Sequence, residues 1–203
     1  MKIAPLAASA VGGIAIAVIA YTAYWFVAAE EIEERIADWA EDQRARGITV
    51  EAGAPEVSGY PLQFEVSLQQ PSVENTAKGW AWRGDVLTAR FRPWRFDEFD
   101  LKFNGQNNVR YFDGESWHEI QGRIEDGSAW LHLDGERRIE NMMLDLKRIA
   151  LSGPWGDDPA FIERLRARAR RGAVSEPEEA PEPREFASAA VEFEGVILPP
   201  GYG

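Results

Sequence analysis

The 203-residue chain has no cysteine and only two histidines, His118 and His132. Disulfides, thiolate nucleophiles and cysteine-based zinc sites are therefore excluded, while an oxidising compartment is permitted. Neither histidine has a second histidine or a cysteine at metal-ligand spacing, and His118-Glu119 is not followed by a histidine four residues on. There is no G-x-S-x-G, no S-x-x-K and no glycine-rich phosphate loop. Positive charge is also scarce: 22 basic against 34 acidic residues leave a net charge of −12. Phosphate backbones need a basic surface, so nucleic acid is not an expected partner. Carboxylates such as Asp97, Glu98 and Asp100 read as solvated strand faces. No catalytic residue, metal ligand or cofactor is expected.

What is present is apolar. Hydrophobic residues make up 45% of the chain, enough to bury a core. From Ile3 to Ala29 no residue is charged. As a helix this stretch is roughly 40 Å long, more than a ~30 Å hydrocarbon core requires. It exceeds the ordinary apolar run of a cleaved signal peptide. Bulky Tyr24-Trp25-Phe26 also crowd the one small-residue cleavage candidate, Val27-Ala28-Ala29. Residues 3–29 are therefore expected to engage the bilayer as an uncleaved single-pass anchor, with Tyr21, Tyr24 and Trp25 at the interface. Lys2 precedes the span and Glu30, Glu31, Glu33 and Glu34 follow it, so the N-terminus is expected in the cytoplasm and the rest outside the inner membrane, in a bacterial periplasm.

Beyond the span, residues 30–47 read as an amphipathic stalk helix, with Ile32, Ile36 and Trp39 on one stripe and Gly47 as its stop. From Ile48 the period becomes two. Leu62, Phe64, Val66 and Leu68 alternate with polar residues, as do Leu87, Ala89 and Phe91, and Phe99, Leu101 and Phe103. Further strands are expected at 108–112 and 128–133, with two more within 138–151. Asp113-Gly114, Asp126-Gly127 and Asp134-Gly135 offer turn chemistry. Strands joined by short turns imply an antiparallel sheet with one covered face. A second helix is expected over 158–172: Asp158-Pro159 caps it, Phe161, Ile162, Leu165 and Ala169 form its stripe, and Gly172 ends it. Its Arg164, Arg166, Arg168, Arg170 and Arg171 could meet anionic headgroups, or be neutralised by the glutamates of 173–185.

The fold class is thus α+β: an N-terminal transmembrane helix continuing into an amphipathic stalk, then a curved, mainly antiparallel β-sheet with a helix packed on it. The expected units are a tip and anchor (1–29), the stalk (30–47), the sheet domain with its C-terminal helix (48–172), an acidic proline-rich linker (173–185) and a terminal strand and tail (186–203).

Trp80-Ala81-Trp82 places two indoles on one strand face. With Phe64 and Phe91 on the alternating strands they form the candidate ligand-binding set, the alternative being ordinary core packing. Gly59-Tyr60-Pro61 interrupts the pattern between Val57 and Phe64. Proline cannot donate to a ladder and glycine tolerates a close approach, so the tripeptide reads as a bend with a packing role.

W-x-x-x-x-R-x-R-G (Trp39–Gly47), V-x-G-Y-P-L-x-F (Val57–Phe64), Gln70-Pro71, R-P-W (Arg92–Trp94) and the closing G-V-I-L-P-P (Gly195–Pro200) carry a resemblance. The chain resembles an uncharacterised bacterial family of membrane-anchored periplasmic proteins, catalogued as a domain of unknown function and similar in plan to AsmA-like envelope proteins. The resemblance covers roughly residues 10–150 and implies an envelope context; no catalytic residues come with it. The function expected is that of a non-enzymatic envelope protein whose outer domain binds a lipid or amphipathic ligand. The alternative is a structural subunit tethered to a membrane-protein partner, for which Gly12-Gly13 and the alanines of the span would allow close helix packing. A hydrolase built on paired carboxylates stands third.

Overall fold

The structure, a computed structural model, describes residues 4–171 and 188–199. The 173–185 linker lies outside them. Span and stalk are one uninterrupted helix, α1 (Ala4–Ala45). It stops where Gly47 takes a left-handed φ of 79°, with the Ile48 amide donating to the Gln43 carbonyl at 3.0 Å.

Among the described residues twelve strands follow, all antiparallel and in one open, curved sheet. They are β1 (Thr49–Glu51), β2 (Glu56–Ser58), β3 (Phe64–Gln69), β4 (Ser72–Asn75), β5 (Trp80–Gly84) and β6 (Val86–Arg92). Then come β7 (Arg95–Lys102), β8 (Gly105–Phe112), β9 (Trp117–Leu133), β10 (Ile139–Gly153), β11 (Gly156–Arg170) and β12 (Ser188–Ile197). β9 is the pivot. One edge pairs with β10, which leads on to β11 and β12. The other pairs with β8 over 117–124 and with β7 over 128–132. Two wings therefore hang from β9, one of β7, β6, β3 and β2, the other of β8, β5, β4 and β1.

Period-two alternation carries across the whole width. Val66, Ala89, Leu101, Ala129, Leu144, Ala167 and Val191 form one row of facing partners through seven strands. The next row, shifted by one residue and so on the opposite face, is Ser67, Thr88, Lys102, Ser128, Asp145, Arg166 and Glu192. One face is apolar and the other carries the charge.

A line of irregularity crosses every long strand. Gln70, Gly105, Arg148 and Gly195 have φ of 48°, 93°, 49° and 61°, and the ladder skips Arg148 and its partners Glu125 and Glu163. Across this line the side of the sheet reached by odd and even residues exchanges. Leu146 and Ile149 share one apolar cluster with Ile124, Ile162 and Leu165, although an unbroken strand would point residues three apart to opposite faces.

This exchange corrects the expected second helix. Residues 158–170 belong to strand β11, whose apolar positions Ile162, Leu165 and Ala169 copy a helical spacing only because the strand switches faces at Glu163. Pro159 is accommodated because it takes no place in the β10 ladder and β12 begins pairing only at Phe161. The helix packed on the sheet is α1. Three further expectations change. Asp126-Gly127 is no turn but the point inside β9 where its partner changes from β8 to β7, and a Cβ on Gly127 would meet the Phe103 carbonyl at 2.6 Å. Residues 139–153 form one strand rather than two. Leu62 lies before β3, in the loop, and is 70% exposed. Asp113-Gly114 and Asp134-Gly135 do turn the chain, into β9 and out of it, and 188–197 form the late strand.

The main core sits where α1 crosses the β2–β3–β6–β7 wing. Trp25 and Ala29 pack against Phe64, Val66 and Phe91, with Tyr21, Ala28, Ile32, Ile36, Val57 and Phe99 around them. The Trp25 ring stacks on Phe64 at 5.0 Å. Trp39, expected on the docked stripe, is exposed instead.

Candidate functional site

Two of the four candidate ligand contacts are core. Phe64 is fully buried and Phe91 lies 5.4 Å from it, both beneath α1. Trp80 and Trp82 stand in β5, on the other wing, facing Tyr111 and Val109 of β8. Trp82 lines a shallow cleft with Val73, Arg110 and Glu119, so the quartet does not form one site. Gly59-Tyr60-Pro61 is the β2–β3 loop and clasps α1: the Tyr60 ring stacks on Phe26 at 6.0 Å and meets the edge of Trp25 at 5.6 Å. The Tyr60 hydroxyl lies 2.7 Å from that of Thr22, and the Tyr21 hydroxyl donates to the Pro61 carbonyl. Gly59 is required there. Its φ is 99°, and a Cβ would lie 2.8 Å from the Gln63 carbonyl.

A cleft of about 630 Å³ lies on the polar face and spans β6 to β11. Side chains at its rim and floor are Arg90, Asp100, Lys102, Trp130, Met143, Asp145, Arg164, Arg166 and Arg168. Five cations face two carboxylates, the reverse of the chain's overall sign. The placement follows from alternation. R-L-R-A-R-A-R over 164–170 sends Leu165, Ala167 and Ala169 to the apolar face and the arginines to the other, ~7 Å from one to the next along the strand.

Some of this charge is spent internally. Arg164 forms a two-point pair with Asp145 at 2.8 and 2.6 Å, which holds that carboxyl below its ordinary range. Arg90 donates to Glu65 at 2.6 Å, and Arg166 pairs with Glu194 at 2.7 Å. Lys147, just beyond, holds Asp126 down in the same way, at 2.8 Å. Among the described residues no ion pair engages Lys102 or Arg168, and the buried Nε of Arg166 has no hydrogen-bond partner. Trp130 and Met143 stand between these cations, in register with Asp100 and Arg168, and give the floor an apolar centre.

In the sequence these arginines follow Asp158-Pro159 and share a helical spacing of apolar residues, which points to a helix. Their strict alternation over seven residues was the signal for a strand face, whereas Lys102, Trp130 and Met143 could be joined to them only by pairing across β7, β9 and β10.

Residues 25–202 match the model of a family described as an uncharacterised protein conserved in bacteria, DUF2125. The chain belongs to this family. The match begins at Trp25, the helix residue stacked on Phe64, and runs through the sheet to residue 202, so it takes in the closing Gly195–Pro200 motif as well as the 39–94 motifs. No curated protein and no solved structure gives a match. One helix, over Gly13–Ala45 of the described residues, is long and apolar enough to cross a membrane.

Proposed function

We propose that this DUF2125 protein is a non-enzymatic, single-pass inner-membrane protein whose periplasmic sheet holds the anionic head of a lipid or other amphipathic ligand in the polar-face cleft. The observation that carries the reading is the cluster of five cations around Trp130 and Met143, two of which, Lys102 and Arg168, have no ion pair among the described residues, in a chain of net charge −12. Guanidinium groups suit anionic oxygens, and the indole and thioether would meet the adjoining apolar portion. The charge-free part of α1 up to Ala29 supports the anchor, and Lys2 before this run with four glutamates after it supports a cytoplasmic N-terminus. The glycine-x-proline approach to β3 supports an AsmA-like plan and a role in envelope maintenance. A general acid needs a raised pKa, and Asp126, Asp134 and Asp145 are shifted the other way, held low by cationic or backbone donors, so none of these three suits that role.

Native mass spectrometry of the full chain released from membranes should find a bound anionic amphiphile. Arg166→Glu with Arg168→Glu should reduce its occupancy at least about tenfold, the scale of one lost charge-assisted contact. Unliganded protein in both forms would defeat the proposal.

The second reading, an interaction subunit, is favoured by β12. Its outer edge is unpaired among the described residues, and Val191, Phe193, Val196 and Ile197 are exposed. Crosslinking that captures a partner on this strand from intact membranes would favour it.

A further inference from the structure

The anchor and the domain are hydrogen-bonded to each other at a level where the helix is still uncharged. Tyr21 and Thr22 bond to Pro61 and Tyr60 of the β2–β3 loop, and the Tyr24 hydroxyl donates to the Pro93 carbonyl of the β6–β7 loop at 3.2 Å. The first charged residue after them is Glu30, roughly 9 to 13 Å further along the helix axis. From Ala4 to this level the helix is roughly 26 to 30 Å long, the thickness of a hydrocarbon core. An anchor that spans the bilayer therefore brings both loops to its surface.

The side chains on the loops suit that position. Leu62 is 70% and Trp94 62% exposed, Tyr60 is also open to solvent, and so is Phe96 at the start of β7. On the helix itself Tyr24, Phe26 and Val27 are exposed at the same height, so the apolar surface of the span runs without a polar break onto the sheet domain. Arg92 and Arg95 flank Pro93-Trp94 and are exposed; Arg95 is paired with Glu98 at 2.9 Å, so Arg92 is the cation that stands beside the indole, as interfacial basic residues do.

We infer that the β2–β3 and β6–β7 loops form a collar that seats the domain directly on the bilayer, with Leu62 and Trp94 inserted among the lipids and Arg92 among the headgroup phosphates. The inference rests on the single-pass anchor proposed above. It fixes the domain against the membrane rather than at the end of a free stalk, and it makes residues 25–45 of α1 part of the seated body.

The absence of native cysteine permits a direct test. Single variants Leu62→Cys, Trp94→Cys, Ile16→Cys and Glu115→Cys of the full chain carry an environment-sensitive fluorophore in vesicles of phosphatidylethanolamine and phosphatidylglycerol. Ile16 lies in the span and Glu115 in the β8–β9 turn. Probes at 62 and 94 should match that at 16, several-fold more quenched by lipid-borne nitroxide than by aqueous iodide, and the probe at 115 should show the reverse. If 16 is lipid-quenched while 62 and 94 respond to iodide, the collar is wrong and the anchor stands. If 62 and 94 resist both quenchers, a protein covers them and the collar is again wrong. Iodide access at 16 overturns the anchor and the collar together.

Discussion

The two wings that hang from β9 are built from the same kind of strand and end in opposite states. In the β3–β6–β7 wing the apolar face lies under α1, and Phe64, Val66 and Phe91 are buried with Trp25. In the β4–β5–β8 wing the row Val73, Trp82, Val109 and Ile120 has no described element over it, and Val109 remains 40% exposed, with Trp80 beside the row at 37%. Alternation therefore offers a face for burial but does not decide that it will be buried. The decision falls to α1, and α1 is held by the 59–63 and 93–94 loops of the wing it covers.

Breaking the covered wing should cost the most. Phe64→Ala removes a fully buried ring and should lower stability by about 3–5 kcal/mol in denaturant titrations of the purified chain. Trp25→Ala should cost a similar amount, and the double variant less than the sum of the two, because the stacked rings share one cavity. The same truncation on the open wing, Trp80→Ala, should cost under about 1 kcal/mol. Equal losses on the two wings would show that something else covers the second.

Strain at the boundary between the wings comes next. Gly127→Ala forces a Cβ to within 2.6 Å of the Phe103 carbonyl, a backbone atom that cannot swing away. A loss of about 1–3 kcal/mol is expected, with β7 released from β9 before β8, read as earlier amide exchange in 98–102 than in 105–112.

The smallest effect is a dependence on pH confined to the tip of the open wing. Asp113 accepts from the Ser116 and Glu115 amides at 2.9 and 2.8 Å and from His118, which bring its pKa down to about 2. A carboxyl depressed on folding contributes stability above its unfolded value near ~3.9 and loses it as pH falls through the folded one. The turn should therefore weaken between about pH 4 and pH 2. Asp113→Asn should flatten that part of the profile of denaturation midpoint against pH, and an unchanged slope would remove the turn from the account.

Much of this arrangement was readable locally. The charge-free run and Gly47 announce α1, and paired Asp-Gly steps at 113 and 134 mark the turns on either side of β9. Asp126-Gly127 has the same chemistry and does not turn, because both flanks are held in register by β10. Residues 158–170 form a strand where the spacing suggests a helix for a related reason. Periodicity assumes that a strand keeps one face inward, and β11 exchanges faces at Glu163. Nothing local announces the exchange. Arg148 takes a positive φ that is uncommon for any residue but glycine, and its guanidinium is held by Glu125 on the neighbouring strand.

By itself, the order of residues determined that a long apolar helix leads the chain, that alternating strands follow, and that cysteine chemistry is excluded. These properties depend on neighbours a few residues apart. Tertiary structure alone decided which wing became core, where the strands change faces, and that Lys102, Trp130, Met143 and the β11 arginines share one cleft. Pairing between strands distant in sequence sets those relations, and local propensity carries no information about it.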